Sequence, residues 1–198
     1  MKAKKIITIL LIVTGMLMLS NRYRSSRIEK IVENNKITYT INQQQNYNQQ
    51  QLDKNKSSLD TDDLYDGILS IPQINLKKGI YKKDDIRNNI EDNVTIHKSS
   101  TYPDNDSSNI ILIAHSGTGK KAFFNNIDKL TKDSLIEFYY HGTKYVYKID
   151  KNYQVLKNGT VLIDRNEKNK TITLITCVKN DKTKQLVYIG YLIDEIKI

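Results

Sequence analysis

Hydrophobic and polar positions divide this chain into three stretches. Ile6 to Asn21 is an uncharged, mostly apolar run, preceded by Lys2, Lys4 and Lys5. A positive lead followed by an apolar run is the pattern of a membrane-targeting segment. The run is short against the roughly 20 residues of a spanning helix. No small-x-small cleavage site follows it, and Arg22, Arg24 and Arg27 come directly after. A cleaved signal peptide and an uncleaved signal-anchor both fit. The missing cleavage site favours an anchor over residues 1–21, single-pass in the cell membrane, with the N-terminus in the cytoplasm and the body of the chain extracellular. Residues 22–60 read as a polar stalk or linker. Their stretch Asn42 to Gln51, NQQQNYNQQQ, buries too little apolar surface to offset chain entropy. The earlier piece, Ile28 to Ile41, suits a helix near the membrane.

From Thr61 the pattern changes to short apolar runs separated by Asn, Asp, Gly and Lys. Gly67 to Ile71 reads as a strand stopped by Pro72. Asn109 to Ala114 is a continuous apolar run, fit for a strand buried on both sides. Leu135 to Tyr140 and Thr143 to Ile149 flank His141-Gly142 and predict a hairpin. In the second of these, Tyr145, Tyr147 and Ile149 share one face by period-two alternation. Val161 to Ile163, Thr171 to Thr176 and Gln185 to Leu192 complete the set. Helical pattern is sparse, with Asp84 to Glu91 and Ala122 to Leu130 the best candidates. Many short strands with few helices predict a mainly β fold, a closed or nearly closed β-barrel with short helices over residues 61–198. That length buries a respectable single core.

Charge changes the picture little. The net charge is +9, but residues 1–60 hold ten Lys/Arg against four Asp/Glu, so +6 of it lies beside the membrane segment. There it can sit against anionic headgroups. Residues 61–198 carry +3, with no basic stripe interleaved with aromatics, so nucleic acid is not an expected partner. The segment Ala114-His115-Ser116-Gly117-Thr118-Gly119-Lys120-Lys121 superficially resembles a phosphate-binding loop. Ala114 stands where the first Gly belongs and Lys121 where the Mg²⁺-binding hydroxyl belongs. The glycines more simply give a flexible turn. The acidic pairs Asp62-Asp63 and Asp84-Asp85 fit a solvated loop or a helix start, and neither a metal nor a cofactor is expected.

Cys177 is the only cysteine. An exported chain cannot use it for an internal disulfide, which leaves an inert buried thiol, an intermolecular bridge or a nucleophile. A nucleophilic thiolate needs a basic partner, and His suits the task near neutral pH. Of three histidines, His97 lies in a polar segment and His141 at the hairpin tip. His115 ends an apolar strand, as Cys177 does, and two strand ends at one barrel rim can meet across 62 positions. Taken singly, a strand-end Cys is often a small buried hydrophobe and a strand-end His a solvated side chain. Together, and in an exported chain, they point to thiol chemistry.

These residues carry a resemblance. Thr173-Leu174-Ile175-Thr176-Cys177 matches the Thr-Leu-x-Thr-Cys active-site motif of the sortases, the membrane-anchored cysteine transpeptidases of Gram-positive bacteria. Ala114-His115-Ser116 matches their strand-end His motif, and Pro103 a recurrent family proline. The N-terminal anchor and stalk fit as well, and residues 61–198 are covered. The resemblance implies an eight-stranded β-barrel. It implies that Cys177 attacks the Thr–Gly bond of an LPxTG-like sorting signal on a surface protein, forming a thioester. His115 would act as general acid/base, with Thr176 and Ser116 contacting substrate. An amine of lipid II, peptidoglycan or a pilin would then resolve the intermediate. The nearest types are classes D and E.

One position departs from the family. Sortases carry an Arg on the strand after the Cys, often eight residues on, that holds substrate and stabilises the oxyanion. Eight residues after Cys177 this chain has Gln185, and no Arg lies beyond Arg165. Gln185 supplies a neutral amide donor, a known oxyanion-hole group. Lys184, on the opposite face of that strand, and Arg165 are the other candidates. The departure keeps two alternatives open: a non-catalytic sortase-like module that binds a peptide at the surface, and a thiol hydrolase with water as acceptor.

Overall fold

The computed structural model describes residues 2–50, 64–162 and 169–198. It divides into two compact units, Met1–Thr38 and Tyr39–Ile198. The long helix α1 runs Lys2–Gln50. Its first part is long and apolar enough to cross a membrane, with the side chains from Ile6 to Leu19 exposed. The helix does not stop where the polar Gln/Asn stretch begins. A helix already nucleated extends at little cost, and Gln is a fair helix former. Within the second unit this extension is also held: Thr40 and Gln44 are buried, and Gln44 Nε2 donates to the Asp66 carbonyl at 3.3 Å. The rest of the expected stalk, from residue 51, lies outside the described residues.

Eight strands follow among the described residues: β1 Gly67–Ile71, β2 Leu76–Ile80, β3 Thr95–Ile96, β4 Asn109–Ile113, β5 Leu135–Tyr140, β6 Thr143–Leu156, β7 Thr171–Val178 and β8 Asp181–Lys197. They form one sheet in the order β2-β1-β5-β6-β8-β7-β4-β3, wrapped into a nearly closed barrel. Every pairing is antiparallel except β4 with β7. The β5–β6 hairpin turns at His141-Gly142, both with positive φ (44° and 71°), the two-residue turn that matches strand twist. Strand β5 alternates half-buried and buried, as a strand with one face inward must.

β4 and β7 behave differently. Thr171 to Thr176 are buried without interruption, and so are Asn109 to Leu112. The cause is a covered sheet on both sides. Inside the barrel, Ile110, Leu112, Ile172 and Leu174 join the main core with Phe124, Phe138, Tyr147 and Tyr188. On the outer face, Ile111, Ile175, Val187 and Ile189 form a second apolar cluster, flanked by Ile113, Tyr153, Val155 and Val161. Each such side chain contributes roughly 1.5–3 kcal/mol when fully buried.

Three sequence expectations are corrected. Asp84 to Glu91 is a series of hydrogen-bonded turns, not a helix. Ala122 to Leu130 contains only the 3-10 turn Ile127–Lys129. Val161 and Leu162 are irregular, with Ile163 outside the described residues. Conversely, β2 and β3 were not legible, the first because it carries Lys77, Lys78 and Gly79 at a sheet edge, the second because it has two residues.

Candidate active site

The site is assembled by register. β4 and β7 run parallel, Ile113 opposite Ile175. Beyond the last strand pair, the Ala114 N–H still donates to the Ile175 carbonyl at 3.3 Å. Carried two positions on, the register sets His115 level with Cys177. Two hydroxyls hold these strand ends together. Thr176 Oγ1 donates to the Ala114 carbonyl at 2.7 Å, and Ser116 Oγ donates to the Cys177 carbonyl at 2.6 Å. On the other side, Gln185 of β8 is the antiparallel partner of Cys177. Directly opposed residues project to one face. Cys177 and Gln185 therefore close two adjacent rows that begin with Ile175 and Val187 of the outer apolar cluster, and His115 follows β4, whose Ile113 packs against that cluster.

Cys177 is half-buried and its thiol is free. A break in register follows it, between Cys177 and Val178. Such an irregularity at a strand end re-aims side chains. Lys184 pairs with Asp181 at 3.3 Å at the start of β8. The Asp181 carboxyl is held below the usual range, first by the Thr183 hydroxyl and N–H and then by Lys184. Arg165 lies outside the described residues. Thr176 is 3% exposed and its hydroxyl is engaged by the Ala114 carbonyl. The Ser116 hydroxyl is likewise committed to backbone.

After His115 the chain turns back at once, the Phe124 N–H donating to the His115 carbonyl at 3.0 Å. Gly117 takes a positive φ of 139° within this loop. No α-helix follows it, which removes the phosphate-loop reading. Among the described residues no group of three or more His, Cys, Asp or Glu side chains is placed to hold a metal ion.

One neighbour of His115 escaped the sequence reading. Glu91 Oε1 lies 3.3 Å from His115 Nε2. Beside it, Asp92 Oδ1 is paired with Lys121 Nζ. The Asp92 carboxylate raises the Lys121 ammonium above its ordinary range, with Glu91 adding to the effect. The only signal in the sequence was an adjacent Glu-Asp pair inside an Asn-rich segment.

A family model for the Sortase domain matches residues 69–193, more than half of the chain and inclusive of Glu91, His115, Cys177 and Gln185. Solved structures agree at the level of fold. Sortase C1 from Streptococcus agalactiae superposes with a TM-score of 0.59 at 22% identity, covering 80% of this chain and 90% of that one. A lid mutant of sortase A from Corynebacterium diphtheriae gives 0.59 at 23%, covering 73% and 76%. The sortase D5 transpeptidase of Clostridium perfringens gives 0.57 at 21%, covering 66% and 80%. No curated protein matches the chain by sequence.

Proposed function

This chain belongs to the sortase family of transpeptidases, and from that premise we propose that it is a membrane-anchored cysteine transpeptidase acting on LPxTG-like sorting signals. Residues 1–21 serve as the anchor, 22–60 as the stalk and 61–198 as the extracellular catalytic domain. The observation that supports this most is the register that sets His115 and Cys177 level at the open end of one apolar face.

The sorting-signal peptide reaches the strand ends from solvent, past the partly buried Ile113, which brings its Thr–Gly bond to Cys177. Cys177 gives its proton to His115, and the thiolate attacks the threonine carbonyl. Gln185, on the same face, donates its side-chain amide to the developing oxyanion in place of the family Arg. The C–N bond breaks as His115 returns the proton to the leaving glycine nitrogen, leaving a thioester. An incoming amine of lipid II, peptidoglycan or a pilin is deprotonated by His115 and attacks the thioester, releasing the thiolate. Thr176 and Ser116 act as braces that keep the two strand ends in register.

Mass spectrometry of products from a peptide library and amine donors tests this reading. The wild type joins the acyl fragment to an amine, and Cys177→Ala forms neither thioester nor product while keeping its fold. Binding without Cys177-dependent turnover sinks the enzyme and leaves the peptide-binding module. Cleavage that ignores added amine makes the chain a hydrolase.

A further inference from the structure

The segment between β2 and β3 has an unusual construction. Its turns expose Ile86 (93%) and take their shape from polar side chains. Asn88 Nδ2 donates to the carbonyls of Lys83 and Ile96, at 3.0 Å each, while its Oδ1 accepts the Ile96 N–H at 2.9 Å. Asn89 accepts the Glu91 N–H on its side-chain oxygen at 3.0 Å and the Asn93 N–H on its carbonyl at 2.9 Å. Arg87 clasps Asp85 and lies over the Tyr81 ring, 4.3 Å from its centroid. This frame carries Glu91 to His115, and the adjacent Asp92–Lys121 pair fastens it to the loop that follows His115.

We propose that Glu91 is a positioning residue for His115, accepting Nε2–H throughout the cycle and so assigning proton exchange with the thiol and the amines to Nδ1. The inference rests on the reading of His115 as the general acid/base. A neutral imidazole can carry its proton on either nitrogen, and the partner of one nitrogen decides the chemistry of the other. With Nε2–H held by a carboxylate oxygen, Nδ1 is left with the lone pair that takes the Cys177 proton. The imidazolium then has both N–H groups. Donation of the Nδ1 proton to the leaving nitrogen restores the starting tautomer, with the Glu91 contact unbroken. The pair also fixes the ring plane of a side chain that is 40% exposed and would otherwise rotate.

The test uses full-length protein in detergent, comparing wild type, Glu91→Ala and Glu91→Gln. Steady-state transpeptidation is followed alongside ¹⁵N NMR of labelled histidine. In Glu91→Ala we expect kcat to fall about tenfold with KM within about twofold. Glu91→Gln, which keeps an acceptor oxygen, recovers part of the loss. The His115 ring shows its proton on Nε2 in the wild type and a mixture of tautomers in Glu91→Ala. Unchanged kcat with an unchanged tautomer overturns the proposal, and so does a faster Glu91→Ala, which would make the contact a block on the site. If the wild type shows no Cys177-dependent turnover, the functional reading fails instead, and the tautomer comparison still decides the role of Glu91.

Discussion

Two regions meet at the candidate site and are built on opposite principles. The strand ends of β4, β7 and β8 are held by apolar packing on both faces, a continuous backbone ladder and two hydroxyl braces. The turns at Asp84–Asn93 are held by amide and carboxylate side chains at the surface. The strand ends carry Cys177, His115 and Gln185; the turns carry Glu91 and Asp92. Burial decides what each can deliver. A hydrogen bond inside the barrel cannot be replaced by water, so its loss is costly. An exposed ion pair competes with water and salt, so it orients but barely stabilises. On the proposed reading the chemistry therefore sits on the rigid region, and its fine adjustment on the soft one.

Gln185→Ala is expected to strike hardest. It touches the reacting carbonyl on the proposed reading, and losing one oxyanion donor typically costs about 10²–10³ in rate. The thermal midpoint should hardly move, because Gln185 is only half-buried. Lys184→Ala serves as the control, since Lys184 is spent on Asp181. Rates measured on one sorting peptide break the assignment if Gln185→Ala is as fast as wild type, or if Lys184→Ala is the slower of the two.

Thr176→Val comes next and probes the brace directly. Valine keeps the shape and removes the donor, leaving the Ala114 carbonyl buried without it. The expected cost is about 1–3 kcal/mol in urea unfolding. Turnover should fall as well, because the register that sets His115 level with Cys177 loses one of its two clips. A variant of wild-type stability would mean that the ladder alone holds the strand ends and that the brace is redundant.

The same contrast explains what could be read from sequence. β1 and β5 were legible to the residue, β4 to within one residue, β6 and β7 from their first residues but not to their ends, and β8 in its central part, because burial imposes alternation or an unbroken apolar run. The expected pairing of His115 with Cys177 rests on similar logic: a parallel register is a constant offset, and extending the Ile113–Ile175 pair by two positions brings the two level. The turns were not. Asp84 to Glu91 has the look of a helix start, but Asp85, Asn88 and Asn89 bond to nearby backbone groups and outcompete the helix. Glu91 was missed for the same reason. Its contact depends on the shape of a loop, and no periodicity encodes that shape. The helical Gln/Asn stretch was missed because composition alone ignores the helix already running into it.

The smallest expected effect lies in the soft region. Lys121→Ala removes the Asp92 partner from a pair whose side chains are 62% and 56% exposed. Stability should hardly change, because water and salt compete for an exposed pair. The fastening of the Glu91 turn to the His115 loop is lost nonetheless, so kcat should fall by about twofold at low ionic strength. Added salt should shrink the difference between the two proteins, because it screens the same pair in the wild type. Rates of wild type and Lys121→Ala across a salt series read this out. A gap that persists undiminished at high salt would mean that Lys121 acts through packing, and the division between a packed rim and an electrostatically tuned loop would have to be redrawn.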